Sequence, residues 1–158
     1  MRSEPSPEDA WIMKTYPSED VTAPRPVLTL TLLEGRLAVC RLDAASEVPA
    51  WAKGAPPLFS VTRTAGELSV VCPEKFVPEG VGCERGWRVF ELEGPFEFSE
   101  VGILSAVAAP LAEAGVGIFA VSTFDTDYVL VKEERLDLAV RALRGRGHGI
   151  LGLPAKED

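Results

Sequence analysis

Histidine is almost missing from this chain. Among 158 residues only His148 carries an imidazole, so no serine or cysteine nucleophile has a choice of bases, and zinc lacks its commonest nitrogen ligand. Cysteine is nearly as sparse. Cys40, Cys72 and Cys83 leave one thiol over and form no C-x-x-C, which excludes a disulfide framework and a zinc knuckle and fits a reducing compartment. Also missing are the glycine-rich loop that cradles phosphates and the G-x-S-x-G elbow of hydrolases. No metal and no cofactor is expected, and nothing resembles a catalytic centre.

Basic clusters are lacking too. The formal net charge is -8, and acids exceed bases in both halves, so neither nucleic acid nor an anionic membrane surface finds the Lys and Arg it needs. No apolar run approaches the roughly 18 to 20 residues of a membrane-spanning helix; the longest, Val101 to Ala114, is broken by Pro110. The start, MRSEPSPEDAW, has acids and prolines where a signal peptide needs an apolar core, so the expected location is the cytoplasm.

What the chain does have is a core. Hydrophobic residues make up 46% of it, enough for one ordinary domain or two small ones. Residues 1–26 hold five of the 13 prolines and read as an extended arm, with Trp11, Ile12 and Met13 as an apolar knot suited to docking on its own domain, a neighbouring subunit or a partner. From Val27 the pattern turns to strands. VLTLTLL and RLAVCRL flank Glu34-Gly35 as a hairpin, EVPAWA makes a short helical turn, and LFSVTRT and LSVVCP form a second hairpin across Ala65-Gly66-Glu67. Cys40 and Cys72 fall in these runs as core residues.

Glu74 to Gly86, rich in glycine and proline, reads as the connector between two halves, residues 27–80 and 87–153. Beyond it the order is strand, helix, strand, strand, helix, strand. WRVFELEG opens, and Val101 to Ala114 follows as a helix whose Ile103, Leu104, Val107, Ala108 and Leu111 recur at helical spacing. Ser99 or Glu100 offers it an ordinary N-cap, Pro110 should kink it, and Gly115 or Gly117 should end it. VGIFAVST and DYVLVK are joined by a turn at Phe124-Asp125-Thr126. Glu133 and Glu134 open a second helix, and GHGILGL closes the set, with His148 expected at a surface or sheet edge. Glu91, Glu93 and Glu97 read as one solvated face. This βαββαβ order is the ferredoxin-like plan of an α+β protein, helices stacked on one face of an antiparallel sheet.

The stretch GILSAVAAPLAEAGVGIFAVSTFDTDYVLV closely resembles ACT domains, the regulatory amino-acid-binding modules of aspartokinases and other amino-acid enzymes. More narrowly, it is similar to tandem ACT proteins without a catalytic domain, a group that includes the cytosolic arginine sensors of animal cells. The likeness is strong over Trp87 to Leu153 and weaker over Leu28 to Pro73, where LSVVCPE carries it. Asp43 to Pro57 leaves room for only a short helix, so the first half resembles a reduced, mostly β ACT-like unit. The resemblance implies one ligand site, built by the second half and completed by Ser69, Val70 and Val71, and a homodimer paired through sheet edges.

A free amino acid needs donors for its carboxylate and an acid for its ammonium. Backbone amides of Val101, Gly102, Ile103 and Leu104 at a helix start serve the first need, with Gly102 allowing close approach. Asp127, which the resemblance places facing the ligand, serves the second. Ser122, Thr123 and Phe124 offer hydroxyls and carbonyls, and Glu100 could read a cationic side chain. Two readings stand. One is a non-catalytic sensor whose partner is an amino acid; the other is an ACT-like interaction or oligomerisation module with no ligand, its aspartates capping their own turn.

Overall fold

A computed structural model describes residues 25–52 and 54–155. The arm at 1–26, with Trp11, lies outside the described residues except for Arg25 and Pro26. Eight strands make one sheet: β1 (Thr29–Leu32), β2 (Leu37–Leu42), β3 (Ser60–Arg63), β4 (Leu68–Pro73), β5 (Cys83–Leu92), β6 (Ile118–Ser122), β7 (Asp127–Lys132) and β8 (Gly149–Leu151). Two helices, α1 (Ile103–Glu113) and α2 (Leu136–Gly145), and short 3-10 turns at Ala50–Ala52, Glu74–Phe76 and Glu133–Arg135 complete it. The chain is thus α+β with the ferredoxin-like ACT plan in its second half.

The expected hairpin at Glu34-Gly35 does not form. β1 and β2 do not pair with each other; both run antiparallel to β5, β1 along Phe90 to Leu92 and β2 along Cys83 to Trp87. They act as one long strand interrupted at residues 33–36. A glycine with positive φ, here +93° at Gly35, serves a bulge as well as a turn, so local sequence could not choose between them. β5 also begins earlier than expected, at Cys83, which takes the end of the predicted connector into the sheet.

The swap has a consequence for the second half. β8 pairs in parallel with β1, giving the order β8-β1-β5 with β7 and then β6 on the far side of β5, so a strand from the start of the chain sits between the first and last strands of the βαββαβ unit. Leu28, Leu30 and Leu32 thereby share one core with Phe90, Leu92, Val129 and Val131, roofed by Val107 and Leu111 of α1 and Ala139 and Leu143 of α2. Each such side chain is worth about 1.5 to 3 kcal/mol of burial.

Strand alternation sorts the remaining apolar residues. Ala38, Cys40, Leu68, Val70 and Cys72 point to a second cluster under the 3-10 turn at Ala52. Leu37, Val71, Val89 and Leu130 point the other way, into a third cluster that also takes Trp87, Phe119, Val121 and Tyr128 and so joins the two halves.

Both helices stop in the same manner. Gly115 (φ +75°) and Gly147 (φ +88°) take the left-handed conformation, and the amides two residues past each helix's C-cap reach back to Leu111 and Leu143. That motif delivers His148 to the interior. Far from the surface position expected of it, the ring is 5% exposed, accepts the Leu28 amide at Nδ1 (3.0 Å) and donates from Nε2 to the Ala106 carbonyl (3.0 Å). α1 runs on through Pro110, which is buried.

Candidate functional site

The loop between β6 and β7 is tied at both ends. The Thr123 amide donates to the Thr126 carbonyl (2.8 Å), and the buried Thr126 hydroxyl donates to the Leu92 carbonyl at the end of β5 (2.7 Å). The Phe96 amide donates to the Asp125 carbonyl (2.9 Å), so the segment after β5 is laced to the same loop. Gly94 makes this possible, since a Cβ there would come within 3.0 Å of the Asp125 oxygen. The Glu91, Glu93 and Glu97 acids therefore do not share one strand face: β5 ends at Leu92, Glu91 is half-buried, and Glu97 turns toward the loop.

α1 begins against this loop. Its N-cap is Gly102, at φ +86°, and no side chain caps it, contrary to the part expected of Ser99 or Glu100. The first intrahelical bond is from the Ala106 amide to the Gly102 carbonyl, so the amides of Ile103, Leu104 and Ser105 have no acceptor within the helix. The helix dipole adds partial positive charge at that end.

Between helix start and loop lies a recess of about 240 Å³ lined by Phe96, Glu97, Phe98, Glu100, Ile103 and residues 122–127. It brings together six of the residues singled out from sequence: Glu100, Ile103, Ser122, Thr123, Phe124 and Asp127. Among the described residues four carboxylates line it, those of Glu97, Glu100, Asp125 and Asp127, and no Lys or Arg does. Asp127 is half-buried and stands opposite Ser122 across the β6–β7 pair, accepting its hydroxyl at 2.5 Å. That bond fixes the carboxylate and leaves its other oxygen for a further donor.

The other sequence candidates lie elsewhere. Val101 is next to the helix start but 91% exposed. Ser69 and Val71 line a separate opening of about 350 Å³ between β3, β4 and β6, which meets the first recess only at Ser122. Val70 is wholly buried in the second cluster, so its side chain faces away from both openings. Sequence reading missed Phe96 and Phe98 and took Glu97 as part of a solvated face with Glu91 and Glu93; the alternating aromatics of Pro95-Phe96-Glu97-Phe98 were the available signal. Phe98 and Phe124 are 77% and 79% exposed and meet edge to face, centroids 5.0 Å apart, at the rim of the recess.

The three cysteines come from neighbouring strands, Cys40 on β2, Cys72 on β4 and Cys83 at the start of β5. Cys40 stands opposite Cys83, and burial, then the nearby Cys72 and Cys83 thiols, push the Cys40 thiol up to about 12. Cys72 is raised as well, chiefly by burial. Among the described residues no three His, Cys, Asp or Glu side chains gather as a metal site, and no helix is long and apolar enough to cross a membrane.

Comparison with known proteins adds to this geometry. A family model described as ACT domain matches residues 82–145, and a model of an N-terminal domain matches residues 35–80. The chain is similar to the cytosolic arginine sensor for mTORC1 subunit 1 of Rattus norvegicus, 28% identical over 126 residues that make up 79% of this chain and 31% of that protein. The human counterpart is 28% identical over 121 residues, 76% of this chain and 30% of that one. The chain thus spans about a third of the length of the curated relatives it matches. A crystal structure of a protein from Agrobacterium tumefaciens is 40% identical, with a TM-score of 0.77 over 84% of this chain and 98% of that one. The regulatory subunit of aspartate kinase from Thermus thermophilus aligns with a TM-score of 0.55 over 77% of this chain and 99% of that one; at 12% identity this is a likeness of fold alone.

Proposed function

The chain belongs to the ACT domain family, and from that premise we propose that it is a non-catalytic regulatory protein that binds a free amino acid in the recess between the start of α1 and the β6–β7 loop. One observation carries the reading. Ile103, at the uncapped start of α1, and a fixed carboxylate, Asp127, border the same recess, which is the pairing of donor and acid that an α-carboxylate and an α-ammonium require. The acid-rich lining favours the ammonium end and repels a second anionic group. Relatives named as a cytosolic arginine sensor support a regulatory role in the cytosol. Ser69 and Val71 contribute through the adjoining opening, and a homodimer through the open sheet edges adds a further surface.

Thermal unfolding against the twenty amino acids tests this. A ligand present at one hundred times its dissociation constant raises stability by about 2.7 kcal/mol. Asp127→Ala should abolish the response while the unliganded protein keeps its melting point within a few degrees. Indifference to every amino acid would defeat the reading.

A second reading has its own support. The exposed pair Phe98 and Phe124, with Val101 beside the helix start, forms an apolar rim suited to a protein partner. A partner-only module shows no amino-acid response and loses its partner when Phe98 and Phe124 become Ser.

A further inference from the structure

The interruption between β1 and β2 is large for a bulge. The Leu33 amide still donates to the Val89 carbonyl and Leu37 is level with Trp87, so Glu34, Gly35 and Arg36 together stand opposite the single residue Arg88. Such an insertion re-aims side chains and opens the sheet locally. Two recesses flank it, both lined by Glu34, Gly35 and Arg36: one of about 810 Å³ beside Leu33 and Glu91, the other of about 440 Å³ beside Arg88, Glu133 and Gly152.

In the smaller recess two guanidiniums share one carboxylate. Arg36 Nε is 2.9 Å from Glu133 Oε2, whereas Arg88 Nη1 is 3.8 Å from Glu133 Oε1, beyond hydrogen-bond reach. Arg88 is only 17% exposed, and its Nε is buried with no partner among the described residues. Glu74 does not make up the deficit: it lies 3.8 Å from Arg36 and already accepts the Gly86 amide at 2.8 Å. Glu34, the remaining acid of the lining, is exposed to solvent. A buried guanidinium with unused donors is costly, and an oxyanion with two or more acceptor oxygens is the partner that fits two such forks.

We propose that the recess at the 34–36 bulge is a second small-molecule site, which takes the carboxylate or phosphate group of a metabolite between Arg36 and Arg88. It is separate from the recess at Asp127 and does not depend on that one being occupied. The alternative is an ion-pair network that does no more than join β2, β5 and the turn at Glu133.

The test is isothermal titration of the full chain with sodium succinate and, separately, sodium phosphate, ionic strength being held constant with sodium chloride. One of the two anions should bind; succinate marks a carboxylate ligand and phosphate a phosphoryl one. Arg36→Gln, at an exposed position, and Arg88→Lys, which keeps the charge but not the fork, should each weaken binding roughly tenfold or more, with the fold checked by circular dichroism. Asp127→Ala should leave it unchanged, so failure here and failure of the amino-acid reading are told apart. Absence of binding by both anions, or binding indifferent to both arginine substitutions, overturns the proposal.

Discussion

His148 supplies the hydrogen bond that Pro110 cannot. In an α-helix the amide four residues on would donate to the Ala106 carbonyl, but Pro110 has no N-H, and the imidazole Nε2 comes in at 3.0 Å instead. Because Nδ1 accepts the Leu28 amide, the bonding pattern assigns a neutral ring with its proton on Nε2. One side chain thus pins α1 to the lead-in of β1, the strand borrowed from the start of the chain.

Replacing His148 by Ala should therefore leave a buried donor and a buried acceptor unpaired and cost about 2 to 6 kcal/mol, at about 1 to 3 kcal/mol for each group. Pro110→Ala restores the helical donor, so the loss at His148 should shrink by about 1 kcal/mol in that background. Urea unfolding of the four variants of this cycle measures the coupling. Strict additivity would show that the ring does not stand in for the missing amide.

Gly94 should matter to the ligand recess without lining it. An added Cβ would sit 3.0 Å from the Asp125 oxygen, 3.3 Å from the Phe96 amide and 3.3 Å from the Thr126 Cβ, and two of these three are backbone atoms that cannot swing aside. Gly94→Ala should cost about 1 to 3 kcal/mol through overpacking and displace the loop that carries Asp125 and Asp127. The expected readout is a lower melting point together with a weakened amino-acid response.

How far these features could be read in advance depends on the range of the interaction behind each. The helices, β6, β7 and their turn follow from spacing and glycine placement within about a dozen residues, so they were legible. Glu34-Gly35 was not, because a turn and a bulge use the same residues and only the distant strand β5 decides between them. His148 was misjudged for the same reason: its burial depends on a vacancy created by Pro110 in another element. At the recess, Asp127 was singled out because the family resemblance places it facing a ligand, whereas Phe96 and Phe98 join the lining only because β5 stops at Leu92.

Two glycines separate backbone strain from collision. Gly102 and Gly152 both have positive φ, +86° and +79°, but a Cβ at Gly102 meets open space while one at Gly152 would lie 2.3 Å from the Leu32 carbonyl oxygen. Gly102→Ala should cost about 1 to 2 kcal/mol, the left-handed strain alone. Gly152→Ala should cost distinctly more and loosen the β1–β8 edge, which hydrogen exchange at Leu30 and Ile150 would report. Equal destabilisation of the two would refute the distinction.

The thiols of the first half give the protein an alkaline limit. A thiol raised in the folded state, as Cys40 is from 9.0 to about 12 and Cys72 in the same direction, stays neutral there while the unfolded chain ionises. The unfolded state then binds fewer protons at high pH, so stability is fully present below pH 9.0 and falls as pH rises toward about 12. Cys40→Ala removes one of the two raised thiols behind that fall, at the expense of a small cavity. The expected result is a variant less stable than the parent at pH 7 whose unfolding midpoint declines less steeply between pH 8 and pH 11. A decline of unchanged slope would place the alkaline sensitivity on other groups, with Tyr128, raised by burial and by the neighbouring Glu91, as the next to replace.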